Sequence, residues 1–444
     1  MRLAIKTISV ISMFTLLTML LYWSYSCSIQ CKVNARPKIA AQGPAINDPS
    51  LKAELVSQGL KGPTSMIFLG PNDILVTEKN TGIVQRIDNR NGNVSKPLVH
   101  INVSTSDERG LLGIAVSNNK KDVFLYYTEG QKEGQGESQI NHVYRYELID
   151  DKLVNPKLIL NLPGLPGPQH NGGKLAIGPD NNLYIAIGDV GGTFVGNSTE
   201  TQAQNYLDGV KPDGRAGILR ITQDGRPVNN SIIGSEPILN TYYAYGIKNI
   251  FGFDFDPITG KMWDTENGPT FGDEINFVEP GFNSGWAKVQ GIWYVQSQEG
   301  VQITEPSRGG MAPENPQGLV DFGGKGKYRP PEFTWGKSVA PTALRFFSSD
   351  KLGDQYKNDM FVGDAKYGNI YHFKLNQNRT GLLLDGPLTA KVAEKVEDMG
   401  NSVFGKGFGV ITDLQLSPDG YLYVLSYDKY DGRIYKIVPS SASN

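Results

Sequence analysis

One unit recurs six times between Ala53 and Ile437: a strand, a turn rich in Pro, Asp, Asn or Gly, a second strand, and a third ending in alternating apolar residues. The sixth copy shows it most plainly, with Thr412–Leu416 leading through Ser417-Pro418-Asp419-Gly420 into Tyr421-Leu422-Tyr423-Val424-Leu425 and on to Arg433–Ile437. The strand runs are short, β-branched and aromatic, and no long helical periodicity competes with them. A unit of this kind buries its faces only against its neighbours, so the six must close into a ring. The expected fold is therefore all-β, a six-bladed β-propeller over residues 52–440. Two stacked β-sandwiches would use similar strands, but the regular period favours the ring. Ala53-Glu54-Leu55-Val56 is placed to add a strand to the sixth unit and latch it.

What precedes the repeat reads differently. Arg2 and Lys6 are followed by an uncharged stretch from Thr7 to Cys31 with an apolar centre at Val10–Trp23. Residues 1–31 are thus either a signal peptide or an uncleaved membrane anchor. Residues 32–51, with Pro37, Gly43, Pro44 and Pro49, read as a linker. Both cysteines, Cys27 and Cys31, lie before the repeat, which leaves the propeller without a disulfide or a thiolate metal site. Five Asn-x-Ser/Thr sequons, beginning at Asn93, Asn102, Asn197, Asn229 and Asn378, add weight to a secreted or extracytoplasmic location. A net charge of −2 argues against nucleic acid as a partner.

Chemistry points to one loop. Pro168-Gln169-His170-Asn171-Gly172-Gly173-Lys174 carries one of only four histidines and runs directly into the third unit. Neutral imidazole is suited to taking a proton near pH 7, and a loop on a rigid scaffold is where such a group is usually delivered. Each second strand also ends in an acid: Glu78, Glu129, Asp189, Glu266, Asp364 and Asp428. In a propeller these six either converge on one end of the channel, repelling unless a cation bridges them, or each accepts bonds from its own turn. Long insertions at about 190–216 and 286–335 are of the size that usually serves function.

Five stretches taken in order resemble a known family: Asp107–Gly113, Gln169–Gly173, Tyr245–Asn249, Glu266–Glu274 and Gly363–Ile370. Their order and positions are similar to the soluble glucose/sorbosone dehydrogenases, six-bladed propellers that use pyrroloquinoline quinone (PQQ), over roughly residues 52–438. The resemblance implies an exported aldose dehydrogenase in which His170 is the general base for the anomeric hydroxyl and the product is a lactone. It further implies that Lys248, Asn249 and Lys366 contact the cofactor, that Glu108 lies near the substrate, and that the backbone carbonyls of Gly268 and Pro269 hold an active-site Ca²⁺. The partners expected are a sugar substrate, an electron acceptor the sequence does not identify, and a membrane if the N-terminal segment stays attached.

Three departures stand against that pattern. Gln169 replaces an aspartate, Lys248 replaces an arginine and loses the planar fork that grips two oxygens, and Val410 and Thr412 replace an arginine pair that clamps the cofactor's carboxylates in the family. Two other functions therefore compete: a non-catalytic propeller binding a glycan or protein at the cell surface, and a calcium-dependent lactonase.

Overall fold

Six mostly antiparallel sheets, with a seventh small one of Val289–Gln290, Trp293–Gln296 and Ser307–Met311 inserted ahead of the last strand of the fourth, follow one another along the chain in the computed structural model, which describes residues 43–130, 140–191, 200–229, 231–296 and 307–440. The first blade is Pro63–Gly70, Asp73–Glu78 and Ile83–Asp88 with two short outer strands. The second is Leu111–Val116, Asp122–Thr128, Ile140–Ile149 and Lys152–Pro163. The third is Leu175–Ile177, Leu183–Ile187, Gly217–Ile221 and Tyr242–Tyr245, extended by two short parallel strands, Phe282–Asn283 and Lys327–Tyr328. The fourth is Ile250–Phe255, Met262–Glu266, Asp273–Val278 and Phe333–Trp335. Pro341–Phe347, Asp359–Asp364, Ile370–Leu375 and Val403–Lys406 make the fifth, and Val410–Leu416, Leu422–Tyr427 and Gly432–Pro439 the sixth.

The hydrophobic core is divided into six clusters, one between each pair of neighbouring blades. Leu75 and Val84 of the first blade meet Ile114 and Leu125 of the second. Phe124 and Tyr126 meet Ile185 and Leu219 of the third. Tyr184 and Ala186 meet Ile250 and Phe253 of the fourth, and Trp263 and Phe277 meet Phe346 and Tyr371 of the fifth. Phe347 and Phe361 then meet Leu414 and Val424 of the sixth. Finally Tyr423 and Leu425 pack on Met66, Phe68 and Ile74 of the first, so the circuit is complete. Alternation along each strand thus serves two neighbours at once, which is why nearly every residue of the second strands is buried.

The latch is longer than the sequence suggested. Leu51–Leu60 pairs antiparallel with Gly432–Pro439, with Leu51 opposite Pro439 and Leu60 opposite Gly432. The linker expected over 32–51 is shorter than that span. Ala45–Ile46 pairs with Gly405–Lys406 at the outer edge of the fifth blade, and Asp48 accepts a hydrogen bond from the Tyr356 hydroxyl at 2.8 Å. The signal or anchor segment expected over 1–31, and residues 32–42, lie outside the described residues. Among the described residues no helix is long and apolar enough to cross a membrane.

The six acids do not behave as a bridged ring. Glu78 accepts from the Lys61 amide and the Thr81 hydroxyl, Asp364 from the Tyr367 and Gly368 amides and the Tyr371 hydroxyl, and Asp428 from the Tyr430 and Asp431 amides. Glu129 faces the His142 ring, Glu266 accepts from Asn276 beside the buried acids Glu274 and Asp264, and Asp189 alone of the six is joined to the histidine loop.

Candidate active site

His170 stands in a loop that three consecutive residues of the second blade hold down. Asp107 accepts from the Gln169 side-chain amide at 2.9 Å, Glu108 Oε2 accepts the His170 backbone N–H at 2.7 Å, and the buried Arg109 donates to the carbonyls of Gly164 and Gly167. Asn171, fully buried, donates to the Pro168 carbonyl and accepts from Asn141. His170 itself takes a left-handed φ of 60°. A non-glycine residue holds that conformation only where its surroundings impose it, and such residues cluster at functional sites. Gly172, also at φ 60°, brings the chain back so close that a Cβ there would sit 2.7 Å from the Ala186 carbonyl oxygen.

The imidazole is gripped from both sides. Its Nδ1 lies 2.7 Å from Asp189 Oδ1, and its Nε2 lies 3.0 Å from Lys248 Nζ. Asp189 also accepts the Gly191 N–H at 2.9 Å and the Trp286 indole N–H at 2.8 Å. Burial penalises the charge on Asp189, but His170, Lys248 and the Gly191 amide outweigh that penalty and hold its carboxyl below the usual aspartate value. A carboxylate that stays ionised accepts from Nδ1–H, so the network assigns the neutral ring the tautomer with its lone pair on Nε2. Lys248 donates to that lone pair and lies 5.7 Å from the centre of the Trp286 ring. The backbone completes the link between blades, with the Asp189 N–H on the Lys248 carbonyl at 2.8 Å and the Asn267 N–H on the Asn249 carbonyl at 2.9 Å.

Sequence-expected residues thus divide into two groups. Glu108, His170 and Lys248 are brought into one chain of contacts, with Asn249 behind it, its Oδ1 accepting the Ile250 N–H. Glu108 binds the backbone of the loop that carries His170. Lys366 and Gly268 belong to a second chain. Lys366 Nζ donates to the Ser338 carbonyl at 3.0 Å, and the buried Asp273 accepts from Ser338 Oγ, the Val339 and Ala340 amides and the Gly268 amide. Asp189 and Trp286 join this cluster without having been singled out from the sequence as partners of His170. Asp189 had been grouped with the strand-end acids, and Trp286 opens an insertion whose contact with Asp189, 97 positions away, leaves no local signal.

The residues present fit a cation beside Gly268 and Pro269. The Asn267 side-chain oxygen next to them is buried with no donor, and Gly268 is drawn so close to the Phe271 carbonyl that a Cβ would stand 1.9 Å from it. Carbonyl and amide oxygens without donors are the hard ligands Ca²⁺ takes. Among the described residues no group of three His, Cys, Asp or Glu side chains forms a metal site, so backbone oxygens would have to carry such an ion. For a quinone, the cations at hand are Lys248, bonded to His170, and Lys366, bonded to the Ser338 carbonyl. The carboxylate clamp is missing: Val410 offers no donor, and the Thr412 hydroxyl is bonded to the Pro63 carbonyl at 3.1 Å.

A family model described as glucose/sorbosone dehydrogenase matches residues 60–436. The chain is 26% identical over 398 residues to the aldose sugar dehydrogenase YliI of Escherichia coli (strain K12), covering 88% of this chain and 93% of that protein. It is 31% identical over 258 residues to quinoprotein glucose dehydrogenase B of Acinetobacter calcoaceticus, covering 54% of this chain and 52% of that protein. The PQQ-bound aldose sugar dehydrogenase of Streptomyces coelicolor superposes with a TM-score of 0.61 at 22% identity, over 90% of this chain and 100% of that one, a likeness of fold.

Proposed function

The chain belongs to the glucose/sorbosone dehydrogenase family, and from that premise we propose that it oxidises the anomeric hydroxyl of an aldose to a lactone, with PQQ and Ca²⁺ as cofactors and in an exported location. The observation that carries the proposal is the Asp189–His170–Lys248 line. Asp189 keeps the proton on Nδ1 and turns Nε2 outward as the accepting atom. It also stabilises the imidazolium that forms once the hydroxyl proton has moved to Nε2. Glu108, Asn171 and Arg109 hold the loop so that the base needs no reorganisation when substrate arrives. Lys248 leaves Nε2 as the hydroxyl approaches, and its ammonium then stands beside the reacting centre, where negative charge develops. Lys248 and Lys366 would hold the quinone, and the Gly268 and Pro269 carbonyls the Ca²⁺. When bound, PQQ supplies the two-electron oxidant and Ca²⁺ the Lewis acid that polarises it.

The test is turnover of an artificial electron acceptor by the protein reconstituted with PQQ and Ca²⁺ over a broad aldose panel, beside His170→Ala. Loss of turnover in His170→Ala with quinone binding intact supports the reading; quinone bound by the wild type with no turnover on any aldose sinks it. A second reading, a non-catalytic glycan- or protein-binding propeller, is favoured by Val410 and by the bonded Thr412. Two lost arginines would weaken a tricarboxylate by several kcal/mol, roughly 2 each. A calorimetric titration showing no quinone binding would select this second reading.

A further inference from the structure

The central channel has a second end. His170, Lys248 and Asn249 precede the innermost strands of their blades, Leu175–Ile177 and Ile250–Phe255. Residues that follow those strands, Gly178, Pro179, Asp256 and Pro257, line a cavity of about 460 Å³. Its walls include Ile67, Ala115, Ile177, Phe253, Arg345 and Gln415, one from the innermost strand of every blade. At about 3.3 Å per residue, a six-residue strand such as Ile250–Phe255 sets it roughly 17 Å from the histidine end. That volume is in the range that accommodates a small metabolite.

The charged groups around the cavity are matched, with one exception. Lys174 pairs with Asp413 at 2.7 Å, and Asp413 also accepts from Ser65, the Met66 amide and Gln415. Asp256 accepts from Arg379 at 2.7 Å, from the Thr259 hydroxyl and from the Ile258 amide. Arg345 has a single long contact, Nη1 to Asp254 Oδ1 at 3.5 Å, while Asp254 Oδ2 takes the Phe346 amide at 3.0 Å. Arg345 Nε is buried and has no acceptor. The Arg345 side chain as a whole is 29% exposed and lines the cavity, so its terminal N–H groups, held only by that long contact, are open to a ligand, and the planar fork of a guanidinium fits two oxygens of one anion.

We propose that this cavity, at the opposite end of the channel from His170, binds a small molecule bearing a carboxylate or phosphate group, with Arg345 as its anchor. The partly exposed side chains of Ile67, Ile177 and Phe255 take the body of the ligand. Lys174 and Asp256, already paired, contribute little to its charge recognition.

Calorimetry with inorganic phosphate and with acetate, at constant ionic strength, tests this on the full chain. Saturable binding of either probe is expected, weakened at least tenfold in Arg345→Gln, with aldose turnover unchanged. Arg345→Lys keeps the charge and loses the fork, so its affinity should fall between the two; it carries the test if Arg345→Gln does not fold. Phosphate alone binding assigns the site to phosphoryl ligands, acetate alone to carboxylates. No saturable binding of either probe to the wild type, or equal binding to the Arg345 variants, overturns the proposal.

Discussion

Asp189→Asn is the substitution most diagnostic of how the site works. The carboxylate receives three N–H donors, His170 and Gly191 on Oδ1 and Trp286 on Oδ2. Asparagine has the same shape but one acceptor and one NH₂. If its oxygen stays toward His170 and Gly191, the NH₂ meets the Trp286 indole N–H, donor against donor. If it turns round, the NH₂ faces Nδ1, the ring proton moves to Nε2, and Nε2–H then opposes the Lys248 ammonium. Either way one charge-assisted bond is lost, worth about 1.5–3 kcal/mol, and the second orientation also removes the lone pair that would take the substrate proton in the proposed reaction. General-base catalysis contributes about 10²–10⁴-fold, so kcat should fall within that range while quinone affinity changes only a few-fold. The pH dependence of stability changes as well. Asp189 titrates below its ordinary value in the folded state, so its contribution is present above the ordinary aspartate pKa and is lost as pH falls through the depressed one; the variant should lack that acid loss. The assays are steady-state turnover with reconstituted cofactor, ¹⁵N shifts of the His170 ring and acid denaturation. A kcat within threefold of wild type, or an unchanged ring tautomer with kcat collapsed, would refute the reasoning.

Other outcomes follow from the same geometry. Burial, opposed by bonds from Asn276, Gly291 and Ser284, raises Glu274 to about 7; the folded state then holds a proton the unfolded chain releases near 4.5, and stability should fall by up to about 3 kcal/mol as pH rises between those values. Glu274→Gln should flatten that slope in urea titrations at pH 4–8. Gly268→Ala places a Cβ 1.9 Å from the Phe271 oxygen, so the turn must open; the expected result is loss of Ca²⁺-dependent thermal stabilisation with the far-ultraviolet spectrum retained. Leu51→Ala, at a latch position only 6% exposed, should cost about 2–4 kcal/mol in urea denaturation; a cost under about 0.5 kcal/mol would mean the latch does not secure the sixth blade.

The six units were legible because each carries its own alternation and turn chemistry, and the latch because Ala53–Val56 continues that alternation. Ala45–Ile46 was not, since a two-residue strand beside Gly43 and Pro44 has no period to detect. His170 and Lys248 could be read from their motifs, and the structure joins them. Glu108 was read from its motif as a neighbour of substrate; what the structure adds is that one of its oxygens accepts the amide of His170, a residue with a left-handed φ. Asp189 was visible as an acid but not as the partner of His170, because which of six equivalent strand ends meets the loop depends on how the blade stacks. Trp286 reaches the site through long-range packing alone.

The pairing of Leu51–Leu60 with Gly432–Pro439 makes the starting point of the ring arbitrary. The Ser440 amide donates to the Ser50 carbonyl at 2.7 Å, so a short peptide could join those two positions. New termini could then be opened in an exposed turn such as Asp180-Asn181, at the cost of the Asn118–Asn181 side-chain bond to the second blade. Such a permuted chain would reach the same ring by a different order of assembly, moving the last pairing from the sixth blade to the third.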